Sequence, residues 1–194
     1  MPEMPTNSPD PREAQRLAAL ACHAILDTPP EAAYDEVAAL AASICDVPIA
    51  TVGLVDRHRL WLKAAHGLRG VIELPRRDAF CDVAIGGDAP LCVRDATRDP
   101  RFAGHPFVTH AERLRFYYGV PLRDRAGHAL GTLAVIDRRP RMLDERQCRD
   151  LAQLAALLES LLANRRCWLV HASFGARFED GTRLPPAPQE TPCP

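Results

Sequence analysis

The stretch Arg115 to Asp137, RFYYGVPLRDRAGHALGTLAVID, constrains the fold of this 194-residue chain more than any other. Two β-rich runs, 115–122 and 128–136, flank Arg123-Asp124-Arg125-Ala126-Gly127, a polar connection of hairpin length that ends in glycine. A second, earlier pair of runs has the same character. Ile49 to Val55 is compact and β-branched, Asp56-Arg57-His58-Arg59 makes a polar turn, and Leu60 to His66 follows as a second strand. Two such hairpins fit an α+β domain built on one antiparallel sheet.

Helical patterns precede and follow these strands. Asp10-Pro11-Arg12-Glu13 supplies an N-cap, a proline at the first helical position and a carboxylate in the first turn. Leu17, Leu20, Ala21, Ala24 and Ile25 then recur at helical spacing, which predicts a helix over 11–26. Thr28-Pro29-Pro30-Glu31 repeats the start signal, and Tyr34, Val37, Leu40, Ala41 and Ile44 line one face of a second helix over 29–45, ended by Asp46 and Pro48. Asp144 with Gln147 three residues on caps a last helix over 144–166, in which Leu151, Leu154, Leu158 and Leu161 keep a 3-4-3 spacing. Ala155, Leu157 and Leu162 widen that stripe beyond one seam, so one face can cover the sheet while another meets a partner helix.

Between the hairpins, residues 67–77 read as a loop, Asp78 as the cap of a short helix over 79–85, and Leu91-Cys92-Val93 as a brief strand. Asp95 to His110 has no sustained periodicity and carries two prolines and a glycine. A loop of that length inside a small domain is more often functional or mobile than merely connecting. Residues 1–9 read as a disordered leader and 167–194 as an irregular to disordered proline-rich tail, leaving 10–166 as one domain.

Composition excludes several function classes. The 24 Lys plus Arg nearly balance the 25 Asp plus Glu, and the basic residues are scattered, so no nucleic-acid partner is expected. Apolar runs such as 47–55 fall well short of the roughly 18 residues that span a bilayer, and the N-terminus lacks the regions of a signal peptide, so the expected setting is the cytoplasm, without membrane contact. The seven cysteines lie singly, with no C-x-x-C pair. No histidine pair has helical metal-ligand spacing beside a third ligand. No cofactor is specified.

In this order the segments resemble a GAF domain, closest to the sensory modules ahead of bacterial diguanylate cyclases and sensor histidine kinases. The residues that carry the likeness are Ile25 to Pro30, Val47 to Ala50, Leu54-Val55-Asp56, Trp61, Phe80-Cys81, Asp95-Ala96-Thr97 with Asp99 to Phe102, and Tyr117 to Leu122, followed by the Gly127 to Asp137 strand. The resemblance implies an α+β fold: a central antiparallel sheet of five to six strands, terminal helices on one face and a ligand pocket under loops on the other. It places Trp61, Phe80, Phe102 and Tyr117 as aromatic walls of that pocket, with Asp95 and Arg115 as polar anchors. On a strand, Arg115, Tyr117 and Gly119 share one face and Phe116, Tyr118 and Val120 the other. The residues alone leave open which face lines the pocket.

The resemblance further implies a non-catalytic module that binds an unidentified small molecule and signals through its terminal helices, with homodimerisation through the 144–166 helix. No G-G-D-E-F, phosphoacceptor histidine or nucleotide-binding pattern follows Arg166 in this sequence, so the expected output is a partner protein, an interface change, or nothing beyond ligand binding. A second reading is a thiol-dependent oxidoreductase. Free methionine-R-sulfoxide reductases are also GAF proteins, and Cys81 opens a short helix whose N–H groups can lower a thiol pKa. Those enzymes use a partner cysteine in the loop before the last hairpin, where this chain has none and Cys92 is the nearest substitute. A third reading is an interaction module whose pocket is filled by its own side chains.

Overall fold

The computed structural model describes residues 10–110 and 112–175. The proposed leader and the end of the proposed tail, 176–194, lie outside the described residues. In chain order the elements are helices α1 (Pro11–Ala21) and α2 (Ala32–Cys45), strands β1 (Ile49–Val55), β2 (Arg59–His66) and β3 (Glu73–Pro75), α3 (Phe80–Ile85), β4 (Leu91–Val93), the single turn α4 (Pro106–Thr109), β5 (Phe116–Arg123), β6 (Ala129–Asp137) and α5 (Glu145–Gly175). The six strands form one sheet in the order β3-β2-β1-β6-β5-β4, with every pair antiparallel.

The two hairpins are the two halves of this sheet, joined where β1 pairs with β6. Asp124 makes the turn between β5 and β6. Its Oδ1 accepts from the Ala126 and His128 amides, and Gly127 takes the positive φ of +89° that a side chain would resist. Gly131 permits the central pairing, because a Cβ there would stand 2.0 Å from the Gly53 carbonyl oxygen of β1.

Alternation divides the strands between two cores. Ala50, Val52 and Leu54 of β1, Phe116, Tyr118, Val120 and Leu122 of β5, and Leu133 and Val135 of β6 face α2 and α5. Val55, Leu60, Leu62, Tyr117 and Ala134 face the loops, α3 and α4. A bulge in β2 sets Val52 opposite Ala64 and Gly53 opposite Leu62, so Lys63 is the extra residue between them. Lys63, two residues after Trp61, lies on the helix face, where its side chain is fully enclosed. Its ammonium donates to Thr28 Oγ1 (2.8 Å), the Pro29 carbonyl (2.7 Å) and Glu31 Oε1 (2.7 Å). All three protons are thus satisfied, as burial of a charge requires.

Several boundaries depart from the sequence expectations for identifiable reasons. α1 stops at Ala21, not at 26, because His23 and Ile25 are both pulled into the core while Ala24 adopts a left-handed φ of +42°. α2 begins at Ala32, since Pro29 and Glu31 are engaged with Lys63 before the helix starts. The 67–77 loop contains the edge strand β3 and the first residues of a 3₁₀ turn over Arg76–Asp78. Asp78 does not cap α3. Ala79 occupies that position without a side-chain cap. The long loop includes α4, capped by His105 Nδ1 accepting from the Phe107 amide. The capping box at α5 forms as read, with the Gln147 amide donating to Asp144 Oδ1 (2.7 Å) and the Asp144 amide to Gln147 Oε1 (3.1 Å). The helix then continues to Gly175, past the expected end at Arg166.

Candidate functional site

The loop face of the sheet holds a cavity of about 50 Å³. Thr51, Leu60, Leu62, Tyr117 and Ile136 form its floor, and Leu68, Leu74, Ala79, Phe80, Cys81, Phe107 and Leu114 close it from the loops and α3, with Asp78 the one charged residue in its lining. A space of that size holds one or two waters, against the 300 Å³ or more of a typical ligand pocket. Its lining is almost wholly apolar, so a guest would be recognised chiefly by shape and burial.

Aromatic stacking fills the rest of this face. Phe80 stacks on Phe102 with ring centroids 3.9 Å apart, meets His105 edge-on at 5.0 Å and Tyr117 at 5.4 Å. The Tyr117 hydroxyl and Thr132 Oγ1 both donate to Cys81 Sγ, at 3.4 and 3.1 Å. Burial raises the Cys81 pKa, and the two incoming hydrogen bonds only partly oppose it. Burial likewise raises Tyr117 well above its ordinary value. The thiol is therefore protonated at neutral pH, because burial outweighs what the N-terminus of the short helix can do to lower its pKa.

The structure gathers some of the sequence candidates and separates others. Phe80, Cys81 and Tyr117 line the cavity, and Phe102 lies behind Phe80 in the same cluster. Trp61 belongs to the other core. It alternates with Leu60 and Leu62 on β2 and lies under the Lys63 ammonium on the helix face, 5.8 Å from its ring centre. Asp95 closes a local turn, accepting from the Thr97 amide and hydroxyl. Arg115 holds the long loop down by donating from Nη1 to the Val108 and Leu114 carbonyls, both at 2.9 Å. Neither polar anchor reaches the cavity. The face left open by the sequence is settled by Tyr117, which points to the loops while Phe116 and Tyr118 point to the helices.

Reading motifs missed the aliphatic lining and Thr132. The available signal was a threonine on each of the two central strands, Thr51 on β1 and Thr132 on β6, both buried. A buried hydroxyl in an apolar run asks for a partner, and Thr132 finds it in Cys81.

Ionic straps tie the loop face to the helices. Arg76, in the 3₁₀ turn beside the cavity, donates to Glu13 of α1 and to Asp82 of α3 (2.6 Å), while Arg16 holds the same Glu13. These guanidinium bonds pull the Glu13 carboxyl from 4.5 down to about 2. Arg59 on β2 bridges Asp27 and Glu73, each at 2.6 Å. Glu31 is shared, since its Oε1 accepts both Lys63 of β2 at 2.7 Å and Arg165 of α5 at 2.8 Å. Among the described residues no group of three or more His, Cys, Asp or Glu side chains could hold a metal ion. No described helix is long and apolar enough to cross a membrane.

A single antiparallel sheet with terminal helices on one face and a loop-roofed cavity on the other defines a class of small α+β domains. This chain belongs to the GAF domain family, whose profile matches residues 29–162. It is 42% identical over 135 residues to a cyclic di-GMP phosphodiesterase of Pseudomonas aeruginosa; the match covers 69% of this chain but 23% of that protein, so the chain spans less than a quarter of the relative's length. Among solved structures it is similar to the GAF domain of an Acinetobacter phosphoenolpyruvate-protein phosphotransferase (TM-score 0.60, 20% identity, 82% of this chain and 97% of that one). It is also similar to a free methionine-R-sulfoxide reductase of Neisseria meningitidis in complex with its substrate (TM-score 0.57, 19% identity, 86% and 98%). At these identities the structural likeness is one of fold.

Proposed function

We propose that this chain is a sensory GAF module of cyclic di-GMP signalling that transmits the state of its loop-face cavity to α5. The observation that carries the reading is the shared Glu31. β2 contributes Leu60 and Leu62 to the cavity and, between Leu62 and Ala64, the bulged Lys63 to Glu31, which Arg165 of α5 also grips. A guest that displaces β2 changes the pull on Glu31 and so the seat of α5. The relative's role as a cyclic di-GMP phosphodiesterase supports the signalling context, with output through a partner or through sequence joined to α5.

The guest is small and apolar, or it enters by swinging aside Phe107 and Leu68, which are only partly buried. Two copies associate through α5, where Leu157 is 49% exposed. The cytoplasm is the setting this role requires. The protonated thiol of Cys81 supports a regulatory role over reductase chemistry.

One observation favours a second reading. The cavity volume of about 50 Å³ suits an interaction module whose cavity is filled by its own side chains. Methyl NMR of Leu60, Leu62 and Leu68 during titration with indole separates the two. Saturable shifts, lost on Leu62→Trp, support the sensory reading, and unmoved methyls support the interaction module. Light scattering of Leu157→Glu against the parent protein tests the dimer independently.

A further inference from the structure

The single turn α4 carries Phe107 over the loop-face cavity, and two histidines bracket it in opposite roles. At its start His105 Nδ1 accepts the Phe107 amide at 3.2 Å. A backbone amide only donates, so this bond requires a lone pair on Nδ1, and the neutral ring carries its proton on Nε2. At its end His110 Nδ1 lies 3.1 Å from the Pro106 carbonyl. A carbonyl only accepts, so His110 donates from Nδ1 whether its ring is neutral or charged. Protonation therefore leaves the His110 bond intact. At His105 it destroys the bond and sets two N–H groups against each other.

The His105 ring is itself part of the roof. It meets Phe80 edge-on at 5.0 Å and Phe107 at 5.4 Å, and both phenyl rings line the cavity. Burial there holds the His105 pKa below 6.5, and Asp78 of the 3₁₀ turn, itself 3.8 Å from Arg77, partly opposes the shift. The other charged side chains of the surrounding elements are engaged elsewhere. Asp99 pairs with Arg101 at 2.7 Å before α4, and Asp82 of α3 with Arg76 at 2.6 Å. Cys81 and Tyr117, beside Phe80, stay neutral because burial raises both. Beyond the turn, the Leu114 amide donates to the Phe107 carbonyl at 2.8 Å and Arg115 to the Val108 carbonyl at 2.9 Å. α4 thus has a fixed end toward β5 and a releasable end at His105.

We propose that His105 is a pH-sensitive latch on the cavity roof: its neutral ring fastens the start of α4, and uptake of a solvent proton at Nδ1 releases that end so that Phe107 swings clear. A solvated ring in the open form takes the proton more readily than the buried ring in the closed form. Closure is therefore complete above pH 6.5 and is lost as pH falls through the lowered value of the closed form. One proton changes the open fraction by at most about tenfold per pH unit. The latch concerns the roof and not the guest, so it can fail while indole binds, and indole can fail to bind while the latch works.

The test treats the full chain with 4,4′-dithiodipyridine between about pH 7.5 and about pH 5.5 and reads Cys81, on the cavity wall, against the exposed Cys92 by peptide mass spectrometry. Over that range the two thiolate fractions fall in parallel, so the ratio of their rates reports access. The ratio is expected to rise about fivefold or more on acidification. It stays flat in His105→Asn, whose side-chain oxygen accepts the Phe107 amide at either pH, and rises as in the parent in His110→Asn. Phe107 amide-exchange protection falls over the same range in the parent and not in His105→Asn. A flat ratio with unchanged Phe107 protection in the parent overturns the proposal. So does an equal rise in His105→Asn, or a ¹⁵N histidine spectrum that places the neutral His105 proton on Nδ1. If Cys81 stays unlabelled throughout, Phe107 protection decides: a fall that His105→Asn abolishes supports the latch, and any other result overturns it.

Discussion

The two faces of the sheet are built by the same strands but in different ways. The helix face is a continuous core in which Leu20, Ile25, Leu54, Phe116, Leu122, Leu133, Leu151 and Leu158 are essentially fully enclosed beneath long helices. The loop face is thinner. It is roofed by the six-residue α3, the single turn α4 and irregular chain, held by Arg115 and Arg76, and keeps a small void at its centre. Stability therefore resides on one side, and the capacity to rearrange at low cost resides on the other. Lys63, on the strand that gives Leu60 and Leu62 to the cavity, holds Glu31 on the helix side, and the proposed coupling runs through that pair.

The sharpest way to break this comparison is to truncate one leucine on each side. Leu158→Ala, beneath α5, is expected to cost about 3 kcal/mol, whereas Leu62→Ala, beside an existing void and a roof that can settle, should cost about half as much. Urea unfolding of both variants measures the difference, and equal losses would contradict the asymmetry. Gly131→Ala is of similar size to the larger effect, because its methyl would meet backbone of the neighbouring strand and neither strand can yield. At Gly119 the corresponding methyl meets the Tyr117 hydroxyl at 2.3 Å and two carbons of its buried ring at 2.7 Å. Gly119→Ala should therefore cost about 2 kcal/mol by forcing that ring off Cys81, and should disturb the cavity as well as the fold.

Acid stability probes the straps between the faces. The folded Glu13 titrates near 2 and the unfolded one near 4.5, so its contribution is complete above pH 4.5 and is lost as pH falls toward 2. Lys63 and Arg165 lower Glu31 in the same direction. Both carboxylates are partly solvated, which keeps each effect modest. Glu13→Gln is expected to flatten the fall in stability between pH 4.5 and 2, measured by urea midpoints across that range. An unchanged slope would mean that Arg76 and Arg16 do not hold the carboxylate in solution.

The fold is legible wherever one local signal decides it. Alternation and turn chemistry locate both hairpins to within a residue, and Asp144 with Gln147 locates the start of α5. Periodicity misleads where tertiary contacts override it, as at His23 and Ile25, which interrupt α1 by burying themselves. The site is less legible because it is mostly aliphatic. The expected pocket wall at Trp61 lies on the other face, since Leu60 and Leu62 beside it take the loop side and the run from Leu60 to Ala64 is buried throughout, with no polar alternation to tell the faces apart. Asp95 and Arg115 hold loops in place, and nothing in their residue type separates that from binding a ligand.

The smallest expected effect concerns Cys81. Its sulfur accepts from Tyr117 and Thr132 in a fully enclosed position, and burial keeps the proton on it. Cys92 on β4 is exposed by contrast. Brief iodoacetamide treatment at neutral pH should therefore alkylate Cys92 and leave Cys81 untouched, as read by peptide mass spectrometry. Cys81→Ala removes one sulfur from contact with two hydroxyls that must then find each other or a water, so a stability loss of about 1 kcal/mol is expected. Rapid labelling of Cys81 in the folded protein would show that the roof opens widely on the labelling timescale. It would move the loop face from a filled core toward an accessible chamber, and the reductase alternative would regain its nucleophile.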